Sequence, residues 1–280
     1  MRLRPLELPG HGFREAEPLP YAPGSASDLA RWHEGSAEAD GAMPSFAGLC
    51  AGRDAEVRAL CDAIEPLLDK PFAIFGFSNG ALLGYLMVIE LQRRGAPPPL
   101  RLMCACRGAP HTVRIRVDEL TALMRLDDAA TIEWAEQSGV LARKEVRRTE
   151  VSARFAPTTR SDMPLGILEA GTRVAEPPCN QLQSAPGTEA RAANPPRLTS
   201  CPLTVLLGDE DAMWPSEVYG AHWLEVAGEA EGSLRHVTVR GAAHHQLQCW
   251  PRMREAAFAE VADGLALRAS GPARETGRAE

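Results

Sequence analysis

One serine in a glycine-flanked motif has the sequence context of a catalytic nucleophile. The segment GFSNG at 76–80 places Ser78 between a run of large apolar residues and an apolar-rich helical pattern. A G-x-S-x-G pattern between a strand and a helix is typical of a sharp turn that exposes the serine hydroxyl. We expect the residues two before and two after the serine to pack too closely for a Cβ, which explains both glycines. The motif predicts a nucleophilic Ser78, and the alternative is a glycine-rich turn before an ordinary helix.

The helix that follows the serine would also provide a site for negative charge. The first turn of a helix has backbone N–H groups without helical partners and a positive partial charge. Asn79 is the first residue after the serine, so its backbone N–H is predicted to stabilise an oxyanion formed beside Ser78.

A carboxylate cluster follows a later apolar run. A serine nucleophile needs a general base, and the base needs an orienting carboxylate. The segment GDED at 208–211 comes directly after the apolar residues 203–207. Loops at the carboxyl ends of parallel strands are where such sites are built. We predict that Asp211 is the orienting acid, with Asp209 as its nearest competitor and a solvated acidic turn as the alternative.

A pair of histidines follows the next apolar segment. The segment GAAHH at 241–245 has small residues before its histidines, which would let the loop approach the serine. The order serine, acid, histidine along the chain is the order found in α/β-hydrolases. We predict that His244 is the general base and that His245 is its nearest competitor. The alternative is an exposed His-His dipeptide that could bind a metal by chance.

The elements that must position these residues alternate between apolar runs and helical patterns. Strand–helix–strand order implies parallel pairing with right-handed crossovers. We therefore predict an α/β fold, specifically an α/β-hydrolase fold with a mostly parallel sheet flanked by helices and a helical lid insertion. The predicted strands are 3–8, the segment leading into the serine turn, 100–106, 203–207 and 234–239, and the predicted helices are 54–68, 81–94, 216–227 and 251–267.

The composition divides the chain into a core and an insertion. We predict a hydrolase core at 1–110 and 201–269, with an irregular loop at 19–53, and a flexible tail at 270–280. Residues 111–200 are polar and open with helical patterns at 117–125 and 128–139. Because this section is too long for a connecting loop, we interpret it as a lid or a partly disordered insertion.

Charge, hydropathy and cysteine content exclude several classes of function. The chain of 280 residues has a formal net charge of −7, which argues against binding to nucleic acid or to an anionic membrane surface. It has no apolar run long enough for a transmembrane helix and no signal-peptide core. The seven cysteines form no CxxC pair, so we expect neither a zinc site nor a disulfide framework. We predict a cytoplasmic protein whose cysteines are mostly buried small hydrophobes.

Several motifs in the same order resemble the type II thioesterases of polyketide and nonribosomal peptide synthesis. The stretch LPGHGFREAEP at 8–18 is similar to the LPGRGxRxxEP of that family, and PFAIFGFSNGALL at 71–83 to its PFxxFGHSMGAL. The segments QRRG at 92–95 and RGAPH at 107–111 resemble its RRxAPH landmark.

The resemblance implies a function for the predicted site. Ser78 would be the nucleophile, Asp211 the orienting acid and His244 the base, with residues 111–200 in the place of the lid. The substrate would be an acyl thioester on the phosphopantetheine of an acyl or peptidyl carrier protein, in polyketide, nonribosomal peptide or fatty acid synthesis, with no further cofactor. The alternatives are a general carboxylesterase, a catalytically weak or silent carrier-protein-binding relative, and a gene fragment.

The sequence departs from the family pattern at its start and at the serine motif. Family members carry a strand ending in an FPYAGG-type turn, which donates the second oxyanion N–H, before the LPGRG motif. This chain begins close to that motif, so we expect a truncated or rearranged start and weak activity. The alternative is that the segment YAPGSAS at 21–27 replaces the contact. Phe77 and Asn79 stand where the family has histidine and methionine.

Overall fold

The computed structural model describes residues 3–8, 11, 14, 16–17, 46–110, 122, 126–138, 140, 155–159, 196–228, 233–244 and 246–269. Residues 19–45 of the loop predicted at 19–53, most of the insertion at 111–200 and the tail at 270–280 lie outside these ranges. The division into core and lid therefore stays a prediction.

Four parallel strands form the sheet, in the spatial order β1-β2-β3-β4. Every neighbouring pair is parallel, so all four strands end at the same edge of the sheet. The predicted strands at the serine motif, at 100–106, at 203–207 and at 234–239 are confirmed within two residues at each end. Their bounds are β1 (Ile74–Phe77), β2 (Leu102–Ala105), β3 (Leu203–Gly208) and β4 (Leu234–Val239).

The strand predicted at residues 3–8 is wrong. These residues pair with no strand in the described part of the chain, where β1 is an edge strand next to β2 alone. Leu3 and Leu6 are 66% and 43% exposed. Leu8 instead packs, like Phe72 and Ile74, against a cluster of buried helix residues that contains Leu60 and Met87. The segment LRPLEL at 3–8 has no regular apolar alternation, so it offers no continuous apolar face that a strand could bury.

Two of the helices begin before their predicted bounds. Within the described residues, the helices with defined bounds are α1 (Phe46–Ile64), α2 (Asn79–Arg93), α3 (Asp128–Gln137), α4 (Ser216–Tyr219) and α5 (Gln246–Ala269), with short 3₁₀ turns at Glu65–Leu67 and Ala221–Glu225. Helix α1 begins at Phe46, inside the predicted irregular loop. The sequence pattern did not predict this start, because Gly48 and Gly52 weaken the helical signal of the leucine and alanine between them. Helix α5 begins at Gln246, before its predicted start at Pro251.

The predicted helix at 216–227 divides into α4 and a 3₁₀ turn at Gly220. Gly220 keeps helical dihedrals and its N–H donates to the carbonyl oxygen of Ser216 at 3.0 Å, but the next turn tightens, with the N–H of Trp223 donating to the carbonyl oxygen of Gly220 three residues back. Helix α3 matches its prediction more closely. Asp127 caps it by accepting a hydrogen bond from the backbone N–H of Ala130 at 2.8 Å.

The sheet is covered by helices on both faces. Side chains of β2 alternate, with Leu102 and Cys104 in the cluster that contains α2 and Trp223. Met103 and Ala105 face the opposite cluster, which contains residues of α5. Helix α1 packs on the outer side of α2 through a third cluster. Burial on both faces explains the continuous apolar runs of β2 and β3. In the described residues, no helix combines the length and hydrophobicity needed to cross a membrane.

Candidate active site

The serine motif forms a strained turn between β1 and α2. Ser78 caps the helix with φ 50° and ψ −118°, and it is one of two non-glycine residues with positive φ in the described chain. The predicted need for glycine is confirmed at Gly76, where a Cβ would lie 2.0 Å from the carbonyl oxygen of Gly80. At Gly80 the prediction is wrong, because a Cβ there would meet nothing within 4 Å. Strain of this kind persists where surrounding structure fixes it, and it is frequent at functional sites.

Three of the residues singled out from the sequence lie in one chain of contacts. Ser78 Oγ lies 3.2 Å from His244 Nε2. His244 Nδ1 lies 3.1 Å from Asp211 Oδ2. The serine follows β1, the aspartate follows β3 and the histidine follows β4, so the common edge of the parallel sheet brings them together. His244 and Asp211 are both buried.

The loops after β3 and β4 cross in close contact. A Cβ at Gly208 would lie 1.9 Å from the carbonyl oxygen of Ala242. Gly241 has φ 62°, a left-handed conformation that favours glycine. The small residues before His244 therefore let its loop pass over the end of β3, as the sequence predicts.

The surroundings of Asp211 favour its charged form. Its Oδ1 accepts hydrogen bonds from the backbone N–H groups of Met213 and Trp214, both at 2.9 Å. Burial alone would raise the pKa of Asp211. The hydrogen bond and charge of His244, together with these two backbone donors, outweigh burial and hold the pKa of Asp211 below its ordinary value. The carboxylate can therefore orient His244 and stabilise a positive charge on it.

The fold is shared with solved thioesterase structures. RedJ, a thioesterase from the prodiginine biosynthetic pathway in Streptomyces coelicolor, is 24% identical with a TM-score of 0.57, over 93% of this chain and 78% of RedJ. ClbQ from the colibactin pathway is 19% identical with a TM-score of 0.60, over 94% of this chain and 86% of ClbQ. YbtT, a type II thioesterase from the yersiniabactin pathway, is 18% identical with a TM-score of 0.52, over 87% and 89%. The chain has the α/β-hydrolase fold. This likeness confirms the predicted fold class.

Sequence comparison gives one short match. A stretch of 55 residues is 36% identical to linear gramicidin dehydrogenase LgrE of Brevibacillus parabrevis. The stretch covers 20% of this chain and 21% of that protein, so the chain matches about a fifth of the length of this curated relative. No protein-family profile matches the sequence.

Asp209, the competing candidate for the acid, has a different place. Asp209 is exposed, and its Oδ1 accepts a hydrogen bond from the backbone N–H of Gly241 at 2.6 Å. Asp209 thus holds the two crossing loops together, while Asp211 contacts His244. His245, the competing base, lies outside the described residues.

Sequence reasoning did not assign a role to two residues beside the site, Arg107 and Phe77. Arg107 follows β2 and is buried, and it donates a hydrogen bond from a terminal guanidinium nitrogen to Asn79 Oδ1 at 2.8 Å. Its guanidinium lies 5.1 Å from the centre of the Trp214 ring. Burial lowers the pKa of Arg107 to about 10. The signal was available, because Arg107 opens the RGAPH segment directly after a buried strand.

The aromatic ring of Phe77 packs against the imidazole of His244. Its ring centre lies 5.8 Å from that of His244, with the rings tilted by 43°. A phenylalanine there packs against the imidazole without offering a second hydrogen-bonding group.

The cysteines and metal-ligating residues form no further site in the part of the chain that the structure describes. Cys61, Cys104, Cys106 and Cys201 are buried, which fits the prediction that most cysteines are small core residues. Within those same ranges, no group of three or more His, Cys, Asp or Glu could hold a metal ion.

Proposed function

We propose that the protein is a serine hydrolase that cleaves acyl thioesters from the phosphopantetheine of an acyl or peptidyl carrier protein. The observation that carries this proposal is the chain of contacts from Ser78 through His244 to Asp211. A hydroxyl, an imidazole and a buried carboxylate in this order form the arrangement that activates a serine. The backbone N–H of Asn79 supplies one oxyanion donor.

The first half-reaction transfers the acyl group to the enzyme. His244 Nε2 takes the proton of Ser78 Oγ as the oxygen attacks the thioester carbonyl carbon. The carbonyl π electrons move onto the oxygen, and the oxyanion is stabilised by Asn79 N–H and one further donor. When the tetrahedral intermediate collapses, the carbon–sulfur bond breaks and the sulfur leaves with the proton from His244. The products are an acyl-Ser78 ester and the free phosphopantetheine thiol.

The second half-reaction returns the enzyme to its starting state. His244 removes a proton from water, and the hydroxide attacks the acyl-Ser78 carbonyl carbon. The bond between carbon and Ser78 Oγ breaks as His244 returns the proton to that oxygen. The acyl group leaves as a carboxylic acid. Asp211 stabilises the protonated imidazole in both halves, and no step requires a metal or a redox cofactor.

Two observations favour thioesters over oxygen esters as substrates. The LPGHG, GFSNG and RGAPH segments occur in the order found in type II thioesterases, and RedJ and YbtT, two of the solved structures of like fold, are named as thioesterases. We also propose that a carrier protein presents the substrate and that residues 111–200 form a lid over the site. A general carboxylesterase would use the same residues, so the choice rests on measured substrate preference.

A fluorophosphonate probe tests the nucleophile. We expect the wild-type protein to be labelled, Ser78→Ala to remain unlabelled, and Ser200→Ala, a change at an exposed serine, to be labelled like the wild type. Equal labelling of Ser78→Ala and wild type would refute the assignment of Ser78.

Substrate preference separates the thioesterase from a carboxylesterase. We expect acyl carrier-protein thioesters to be hydrolysed with higher kcat/KM than p-nitrophenyl esters of the same acyl chain. The reverse order, in a protein whose Ser78 is labelled, would favour a carboxylesterase. Labelling of Ser78 without hydrolysis of either substrate would favour the catalytically silent alternative.

A further inference from the structure

We infer that Arg107 is a positioning residue that fixes Asn79, and with it the oxyanion donor of the proposed reaction, against the loop that carries Asp211. This inference rests on the proposed function, because it assigns a role in forming the oxyanion site. It concerns a pair of side chains that takes no part in the contacts from Ser78 through His244 to Asp211.

The backbone of Arg107 is held in place by large aromatic side chains. The carbonyl oxygen of Arg107 accepts a hydrogen bond from Trp223 Nε1 at 3.1 Å. A Cβ at the next residue, Gly108, would lie 2.7 Å from the ring of Trp214 and 2.9 Å from that of Tyr219. Because these rings pack against the backbone, the Cα of Arg107 is held in place and its side chain extends from a fixed position.

The side chain of Arg107 joins the serine turn to the acid loop. Its guanidinium lies over the Trp214 ring and donates to Asn79 Oδ1. The backbone N–H of Trp214 in turn donates to Asp211 Oδ1. The contacts therefore run in a closed ring, from Ser78 through His244, Asp211, Trp214, Arg107 and Asn79 back to Ser78. A closed ring allows fewer independent displacements of its members than an open chain of the same contacts.

Hydrogen-bond chemistry fixes the orientation of the Asn79 side chain. A guanidinium can only donate, so the amide oxygen of Asn79 must face Arg107 and its amide nitrogen must face away. The methionine found here in the motif that the sequence resembles has only a weakly accepting sulfur. An asparagine at this position therefore makes an anchor for the first residue of α2 that methionine would not make.

The charge of Arg107 acts in the same direction as its hydrogen bond. The side chain is buried, and it stays protonated at neutral pH even with its lowered pKa. A positive charge bonded to the residue after the nucleophile favours negative charge developing there, and burial reduces its screening by solvent.

A double-mutant cycle tests the pair. We would measure kcat, KM and the rate of fluorophosphonate labelling for Arg107→Met, Asn79→Leu and the double variant, each with its thermal midpoint. Each single change should lower kcat and the labelling rate about 10- to 100-fold, somewhat less than the loss of an oxyanion donor itself. KM should stay within about twofold, because the contact matters most when the oxyanion forms. The double variant should be no more than about threefold worse than the poorer single variant, since both remove one interaction.

Arg93→Met is the matched control, because Arg93 is an exposed arginine that pairs with Glu90 on the far part of α2. It should leave kcat and the labelling rate unchanged. Asn79→Leu keeps the test decisive if Arg107→Met fails to fold, because Asn79 is only partly buried.

Three outcomes would overturn the inference. A folded Asn79→Leu with the wild-type labelling rate would show that the hydrogen bond between Arg107 and Asn79 does not position the oxyanion donor. Losses in the two single variants that multiply in the double variant would show that the residues act separately. An absence of labelling in the wild type would overturn both the proposed function and this inference, whereas the first two outcomes leave the proposed nucleophile intact.

Discussion

At the scale of single residues, Asp211 shows how burial and hydrogen bonding compete. Burial disfavours the carboxylate, while two backbone N–H donors and His244 favour it, and the balance keeps its pKa low. A carboxylate whose pKa is lower in the folded protein than in the unfolded chain contributes stability above its unfolded value of about 3.9. That contribution disappears as the pH falls through the folded pKa.

Asp211→Asn is expected to impair both activity and stability, and the stability loss should depend on pH. An amide next to His244 Nδ1 favours the wrong tautomer, so kcat should fall roughly 10³- to 10⁴-fold. The difference in free energy of unfolding between wild type and variant should be largest near neutral pH and shrink below about pH 4. Urea unfolding at several pH values measures this difference. Glu210→Gln, at the exposed neighbouring acid, is the control, and a difference that grows in acid would contradict the prediction.

Substitution of each glycine of the serine motif by alanine should change the free energy of unfolding in opposite directions. Gly76→Ala places a Cβ 2.0 Å from a backbone oxygen that cannot move without displacing α2. We expect it to lower the free energy of unfolding by at least about 3 kcal/mol or to prevent folding. Gly80→Ala meets open space inside a helix, so it should raise that free energy by up to about 1 kcal/mol. Urea unfolding followed by circular dichroism compares them, and equal losses would show that both glycines are packed.

At the scale of elements, a buried polar network joins the sheet to α5. Arg101 donates to Thr204 Oγ1 at 2.8 Å, and Thr204 Oγ1 donates to Glu260 Oε2 at 2.8 Å. Arg101 also lies 3.7 Å from Glu260, and both side chains are buried. The network lies at the ends of the strands opposite to the site, so it supports the sheet without touching the chemistry.

Glu260→Ala should be strongly destabilising because it leaves Arg101 as a buried charge without its carboxylate. Removing one partner of a buried ion pair typically costs about 3–5 kcal/mol. The double variant Arg101→Met with Glu260→Met should recover much of this loss, because no charge is left buried. Asp62→Asn is the control, since Asp62 is exposed and pairs with Arg94, away from this network. Chemical unfolding measures all three, and a double variant as unstable as Glu260→Ala would contradict the argument.

The elements differ in how far sequence alone predicts them. The strands β2 and β3 were predicted well because both faces are buried, so their apolar runs are continuous. The starts of α1 and α5 were missed because local signals, glycine in one and Pro251 in the other, are outweighed by packing along a long helix. The RGAPH segment marks Arg107 in the sequence, but its contacts with Asn79 and Trp214 could not be predicted, because these residues become neighbours only when the sheet has formed.

At the scale of the whole molecule, the site exists only when distant parts of the chain are assembled. Ser78 and His244 are separated by 166 positions, and His244 and Asp211 by 33. The order serine, acid, histidine and the strands before them were enough to select these three residues. The fourth and fifth members of the ring, Trp214 and Arg107, needed the three-dimensional arrangement of two loops.

Loss of the site and loss of the fold should therefore occur together in denaturant. Trp214 packs beside the site, and Trp223 lies in the cluster between the sheet and α2, so tryptophan fluorescence reports both regions. We expect fluorophosphonate labelling of Ser78 and tryptophan fluorescence to change at the same urea concentration, as in a two-state transition. Glu260→Ala should lower both midpoints equally, although it lies away from the site, because the sheet is what positions the three residues. If labelling is lost at clearly lower urea than fluorescence, the loops after β3 and β4 open locally before the sheet unfolds.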